Sequence, residues 1–131
     1  MKKKRKSDVN LLDLIPRTAV EFETDESRIV VLLAPRFPEG FLRRFLGRGL
    51  GESRFKVTLD EIGSEVWLLC DGARTVREIG ELARERFRER IEPCYDRLGV
   101  FFRQLEQAGF ISYVNLEECR ARAAAGGSGP A

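Results

Sequence analysis

The sequence of 131 residues has the length of one ordinary domain, and its 43% hydrophobic and 34% charged residues are typical of a folded chain. It contains no histidine, which excludes Ser-His and Cys-His catalytic pairs and every histidine-based metal site. No run of about 18 uncharged apolar residues occurs. We therefore expect no membrane span and no secretory signal, and we predict a cytoplasmic protein.

The net charge of +2 is unevenly distributed. Residues 2–6 are all Lys or Arg and carry +5, so the rest of the chain carries −3. We predict a basic N-terminal tail over residues 1–16, which is either solvated or in contact with phosphate or anionic lipid. The three cysteines are Cys70, Cys94 and Cys119. They are odd in number and form no Cys-x-x-Cys pair, so we predict reduced thiols, of which Cys70 and Cys94 are packed in the core.

The first half of the chain predicts three short strands. Residues 18–23 alternate apolar and polar side chains, residues 24–27 are turn formers, and residues 29–33 are a β-branched apolar run, which together indicate a hairpin. Residues 55–59 alternate again and predict a third strand. Between them, residues 34–54 form an insertion with one short basic amphipathic helix, indicated by Phe41, Leu42, Phe45 and Leu46 beside Arg43, Arg44 and Arg48.

The second half predicts three helices. Thr58, Asp60 and Glu61 cap the first, Thr75 and Glu78 form a capping box for the second, and Pro93 fits the first turn of the third, which Gly109 ends. An extended segment over residues 110–114, a short helix over 116–125 and a disordered tail follow. The predicted fold is α+β: a winged helix-turn-helix over residues 17–114, with a three-stranded antiparallel sheet followed by a three-helix bundle, and then residues 115–131.

The residues indicate a binding module and not an enzyme, and we expect no metal or other cofactor. No paired acid site stands out, and the glycines at 47, 49 and 51 match no phosphate-binding loop. A winged helix commonly binds DNA through its third helix, but residues 92–107 carry a net charge of −1, which disfavours that function. Val100 and Phe101 give this helix extra apolar surface, which serves either the core or a groove beside the strand at residues 55–59.

Four stretches then resemble the PqqD-like family, named for the pyrroloquinoline quinone biosynthesis protein D. They are LDEIGSEVW at residues 59–67, CDGARTVREI at 70–79, FFRQL at 101–105 and GFI at 109–111. The resemblance implies a non-catalytic peptide chaperone, a precursor-peptide recognition element. Such a module binds the leader of a ribosomally made precursor peptide by β-strand addition and presents it to a modifying enzyme, often a radical S-adenosylmethionine (SAM) enzyme.

The resemblance also implies which residues contact the peptide. On the strand side they are Arg54, Phe55, Lys56, Val57 and Thr58, mainly through backbone atoms. On the helix side they are Arg97, Val100, Phe101, Gln104 and Leu105.

Two other functions remain open at this point. One is a winged-helix DNA-binding transcriptional regulator, in which the basic tail and the arginines at 43, 44 and 48 contact phosphates. The other is an interaction adaptor whose apolar surface forms a homodimer. The insertion at 34–54 is longer than a simple strand connection requires.

Overall fold

The computed structural model describes residues 9–34 and 55–126. Four predicted features lie outside these residues: the basic run at residues 2–6, the amphipathic helix near residues 41–46, Arg54, and the tail from residue 127 onwards.

A three-stranded antiparallel sheet forms as predicted, in the order β2-β3-β4. Its strands are β2 (Glu21–Thr24), β3 (Val30–Ala34) and β4 (Phe55–Thr58). Alternate residues of β3 are buried, so one face of the sheet lies on the helices while the other faces away from them. The Asp25 carboxylate stabilises the β2-β3 turn by accepting the backbone N–H of Ser27 and of Ile29.

The single strand predicted over residues 18–23 is in fact divided. A separate strand, β1 (Pro16–Thr18), pairs antiparallel with β5 (Ile111–Tyr113), the extended segment near the end of the domain. The segment preceding β1 is also part of the fold, because Leu14 is buried and its carbonyl accepts the Val76 N–H at 2.9 Å.

Two capped helices follow the sheet. In α1 (Glu61–Leu68), the Asp60 carboxylate accepts the Gly63 N–H, so of the three predicted capping residues Asp60 is the N-cap and Glu61 is the first residue of the helix. In α2 (Val76–Phe87), the Thr75 hydroxyl accepts the Glu78 N–H at 3.1 Å, and the Glu78 carboxylate accepts the Thr75 N–H at 2.9 Å. The predicted capping box is therefore confirmed.

A 3-10 turn over Arg88–Ile91, which the sequence did not predict, connects α2 to α3 (Cys94–Gln107). Helix α3 ends at Gln107, and Gly109 two residues beyond it has a φ of +79°, in the left-handed region that glycine adopts without strain. The last described element is α4 (Leu116–Gly126).

The core lies between the buried face of β3 and the three helices α1, α2 and α3. Its largest fully buried side chains include Trp67, Phe102 and Phe110. All three cysteines are buried and free. The fold class is α+β, with a three-stranded antiparallel sheet and several helices, as predicted. Within residues 9–34 and 55–126, no helix is long and apolar enough to cross a membrane.

A buried serine connects α1 to the sheet. The Val30 N–H donates to Ser64 Oγ at 2.8 Å, and the Ser64 hydroxyl donates to the Leu59 carbonyl at 3.3 Å. Ser64 thus completes the β3-β4 ladder at the point where the strands separate, and it fixes α1 relative to β4.

We expect Ser64→Ala to lower the free energy of unfolding by about 1–3 kcal/mol, because the buried Val30 N–H loses its acceptor. Urea denaturation of the variant and the parent protein measures this difference. The control is Ser112→Ala at an exposed position of β5, which should change stability by less than about 0.5 kcal/mol. Equal stability of Ser64→Ala and the parent would contradict the linking role of Ser64.

Candidate functional site

The outer edge of β4 carries backbone groups that have no hydrogen-bond partner among the described residues. The Leu59 N–H donates to the Val30 carbonyl at 2.9 Å, so Leu59 and Val30 are a hydrogen-bonded pair. In an antiparallel ladder these pairs alternate, so Val57 is also bonded to β3 whereas Lys56 and Thr58 point their N–H and C=O groups away from it. Among the described residues, β4 has no second neighbouring strand.

A cavity of about 580 Å3 lies between this edge and the helices. We call it the edge groove. Helix α3 forms the wall opposite β4, the start of α1 closes one side, and buried core side chains form the floor. The lining residues are Leu32, Lys56, Val57, Thr58, Leu59, Asp60, Ile62, Gly63, Val66, Ile91, Arg97, Leu98, Phe101, Gln104, Leu105 and Phe110.

The structure brings seven of the ten predicted contact residues together around the edge groove. They are Lys56, Val57, Thr58, Arg97, Phe101, Gln104 and Leu105. Val100 lies outside it, and its side chain is 52% exposed. Phe55 belongs to β4 by its backbone, and Arg54 is outside the described residues.

Other groove residues were not predicted as contacts. Ile62 and Val66 of α1 are four residues apart and therefore lie on one helix face, a spacing that is typical of core residues. Gly63 lies between them and allows close approach: a methyl group added there would lie 3.5 Å from Phe101 Cζ and 2.9 Å from Asp60 Oδ1. No pattern around Ile91 could have revealed its place in the floor, since it lies in the unpredicted 3-10 turn.

Three charged residues line the edge groove, and only one of them, Asp60, has its charge engaged. The Asp60 carboxylate accepts the Gly63 N–H at 2.7 Å as the cap of α1. Arg97 Nη1 donates to the Arg90 carbonyl at 2.7 Å, which positions the guanidinium without neutralising it. Within the described residues, neither Lys56 nor Arg97 forms an ion pair. The edge groove is therefore apolar at its floor, and the Arg97 guanidinium lies at its rim, while the Lys56 side chain is on the outer face of the sheet next to it.

The described residues contain no cluster of Cys, Asp or Glu that could hold a metal ion. Burial, together with the nearby Asp71 charge, raises the pKa of the Cys70 thiol to about 12, which leaves it a poor nucleophile at neutral pH. What the arrangement does offer is a strand edge with free hydrogen-bonding groups beside an apolar cavity.

A comparison with protein families finds a match to the family model described as coenzyme PQQ synthesis protein D (PqqD), over residues 51–111. Residues 51–111 belong to the PqqD-like family. This PqqD-like domain includes β4, α3 and every residue that lines the edge groove except Leu32 of β3. No curated protein and no solved structure matches the chain significantly. PqqD proteins are non-catalytic accessory proteins associated with a peptide-binding partner role in PQQ synthesis.

A second cavity, of about 840 Å3, lies on the other side of α3 from the edge groove. It is lined by Gly99, Arg103 and Glu106 of α3, by Tyr113, and by residues of the N-terminal segment and α4. No residue of the three-stranded sheet lines it, so of these two cavities only the edge groove borders the outer edge of β4.

Proposed function

We propose that the protein binds the leader of a ribosomally made precursor peptide as an additional strand on β4. It then presents the peptide to a modifying enzyme, for which a radical SAM enzyme is the candidate. The observation that carries this proposal is the position of the outward backbone groups of Lys56 and Thr58 directly beside the edge groove. A fourth strand would bond to these groups while its alternate side chains enter the cavity.

The two edges of the sheet differ in a way that favours β4. All four residues of β2 are exposed, and Glu21 and Glu23 place two negative charges on that edge, with Asp25 and Glu26 just beyond it. Charged side chains on an edge strand disfavour the addition of another strand. The described part of β4 carries only Lys56 as a charged residue, and it borders the apolar cavity.

The edge groove suits the side chains of an extended peptide. Its floor is built from core residues that are almost fully buried, including Val66, Leu98 and Leu105. These side chains are held by the core, so the cavity is preformed and its ordering costs little when a peptide binds. Phe101 adds an aromatic wall, and the peptide backbone gains hydrogen bonds from β4.

We further propose that the sheet and the helices α1, α2 and α3 form a winged helix, in which α3 has the place of the recognition helix. In this arrangement α3 is the helix wall of a peptide groove, since two of its residues, Phe101 and Leu105, line the edge groove. The enzyme partner is supported by membership of the PqqD-like family.

Within the described residues, no cluster of positive charge favours DNA binding instead. The cations on which that alternative depends, at residues 2–6, 43, 44 and 48, lie outside the described residues. On α3 itself, Arg97 and Arg103 are outweighed by acidic residues in and beside the helix, which disfavours contact with phosphates.

The proposed function is tested by selecting binders from a phage-displayed random library of peptides of about twelve residues, long enough for one strand and its flanks. A selected peptide is then synthesised, and amide hydrogen exchange of the protein is followed by NMR with and without it. We expect slower exchange of the Lys56 and Thr58 amides in the complex, because their outward N–H groups gain partners. The Val57 amide, already paired with β3, should change less.

Two results would contradict the proposed function. One is a library that yields no enriched peptide. The other is a peptide that binds while the amides of Lys56 and Thr58 keep their free exchange rates, which would place the site elsewhere. The outward amides of Phe22 and Thr24, on the opposite edge of the sheet, serve as internal controls.

A further inference from the structure

The register of β4 determines which peptide side chain would enter the edge groove. Val57 lies opposite the buried Leu32, so its side chain is on the helix-facing side of the sheet. Lys56 lies opposite Leu33, on the other side. In an added strand, each residue shares the face of the β4 residue opposite it. A peptide residue opposite Val57 therefore points into the cavity, and one opposite Lys56 points to the outer face.

Antiparallel addition continues the pairing pattern of this sheet and fixes the order of these two peptide residues. Because β4 runs from Phe55 to Thr58, an antiparallel partner passes Thr58 first, then Val57, then Lys56. The residue that faces Lys56 thus comes directly after the residue that enters the edge groove.

Lys56 is exposed and forms no ion pair among the described residues. In its cross-strand row the neighbour is the apolar Leu33, and the carboxylate of Glu21 lies one strand further away. Lys56 is therefore a single positive charge at the free end of the row. Opposite charges facing each other across strands attract, and like charges repel.

We propose that the edge groove is selective for peptides in which an acidic residue directly follows the apolar residue that enters the cavity, with the acid facing Lys56. This inference rests on the proposed function and specifies its ligand class. The peptide carboxylate would extend the cross-strand row formed by Glu21, Leu33 and Lys56. Its negative charge would then neutralise the positive charge of Lys56.

The same phage-displayed random library tests this selectivity. It is selected in parallel against the parent protein, Lys56→Glu and Lys56→Gln. Arg103→Glu is the matched control, because it makes the same charge change on α3 outside the edge groove. Peptides are then synthesised with Asp or Lys at the position after the apolar residue, and their affinities are measured by fluorescence anisotropy.

For the parent protein and Arg103→Glu, we expect enrichment of an apolar residue followed by Asp or Glu, and about fivefold tighter binding of the Asp peptide than of the Lys peptide. Lys56→Glu should reverse this preference, and Lys56→Gln should remove it. Enriched peptides without a charge preference at this position, or a preference unchanged in Lys56→Glu, would overturn the inference and leave the proposed function standing. The absence of any enriched peptide would overturn both.

Discussion

Replacing Phe101 with aspartate is expected to weaken peptide binding about 100-fold. Burying a phenylalanine side chain contributes about 1.5–3 kcal/mol, which corresponds to about tenfold to 100-fold in affinity. The new carboxylate would in addition be desolvated by an apolar peptide side chain in the groove. Isothermal titration with a library-selected peptide measures the change.

The control for Phe101→Asp is Leu82→Asp, which places the same charge at an exposed apolar position of α2 outside the edge groove. It should bind the peptide within about twofold of the parent protein. Phe101→Ala separates the loss of the ring from the added charge and should weaken binding about tenfold. Circular dichroism and thermal unfolding check that each variant is folded. Parent-like affinity in folded Phe101→Asp would exclude the edge groove as the binding site.

Lys56→Pro is expected to weaken the same complex by about tenfold or more without breaking the sheet. Both backbone groups of Lys56 point to the free edge, so the proline removes no hydrogen bond to β3. It removes one N–H donor, with a net contribution of about 0.5–1.5 kcal/mol, and its ring blocks the approach of the peptide carbonyl. Titration calorimetry gives the affinity, and urea denaturation gives the stability.

Thr24→Pro is the matched control for Lys56→Pro. Asp25 donates its N–H to the Ile29 carbonyl, so by alternation Thr24 points outward on the opposite edge of the sheet. This variant should keep the parent affinity. If both proline variants bind the peptide like the parent protein, strand addition on β4 is the wrong binding mode. If both lose binding equally, the effect belongs to the sheet as a whole.

Local signals in the sequence predicted the helix starts correctly. The Thr75 box and the Asp60 cap depend on residues three positions apart, and such short-range hydrogen bonds form in the same way in many folds. The division between β1 and β2 could not be predicted in this way. Alternation over residues 18–23 fits one strand as well as two, and the partner of β1 lies at the other end of the domain.

The candidate site was predictable in part for a similar reason. The strand and the helix that flank the edge groove follow from periodicity and family resemblance, and Phe101 and Leu105 are four residues apart on one helix face. Val100 precedes Phe101 and is rotated from it by about 100°, which places it outside the groove. Gly63 and Ile91 line the site because of how the helices pack against each other. No local pattern in a single sequence predicts such packing.

The pairing of β1 with β5 has a consequence for folding during synthesis. Some of the contacts that accompany it join residues 100 or more positions apart, such as the Ile15 N–H and the Asn115 side chain. On the ribosome, β4, α1 and α3 are made before these partners exist, so the groove elements can assemble first. Closing so long a loop is a slow step. A nascent chain paused before Ile111 holds the β1 backbone without its native partner and is the stage most exposed to mispairing.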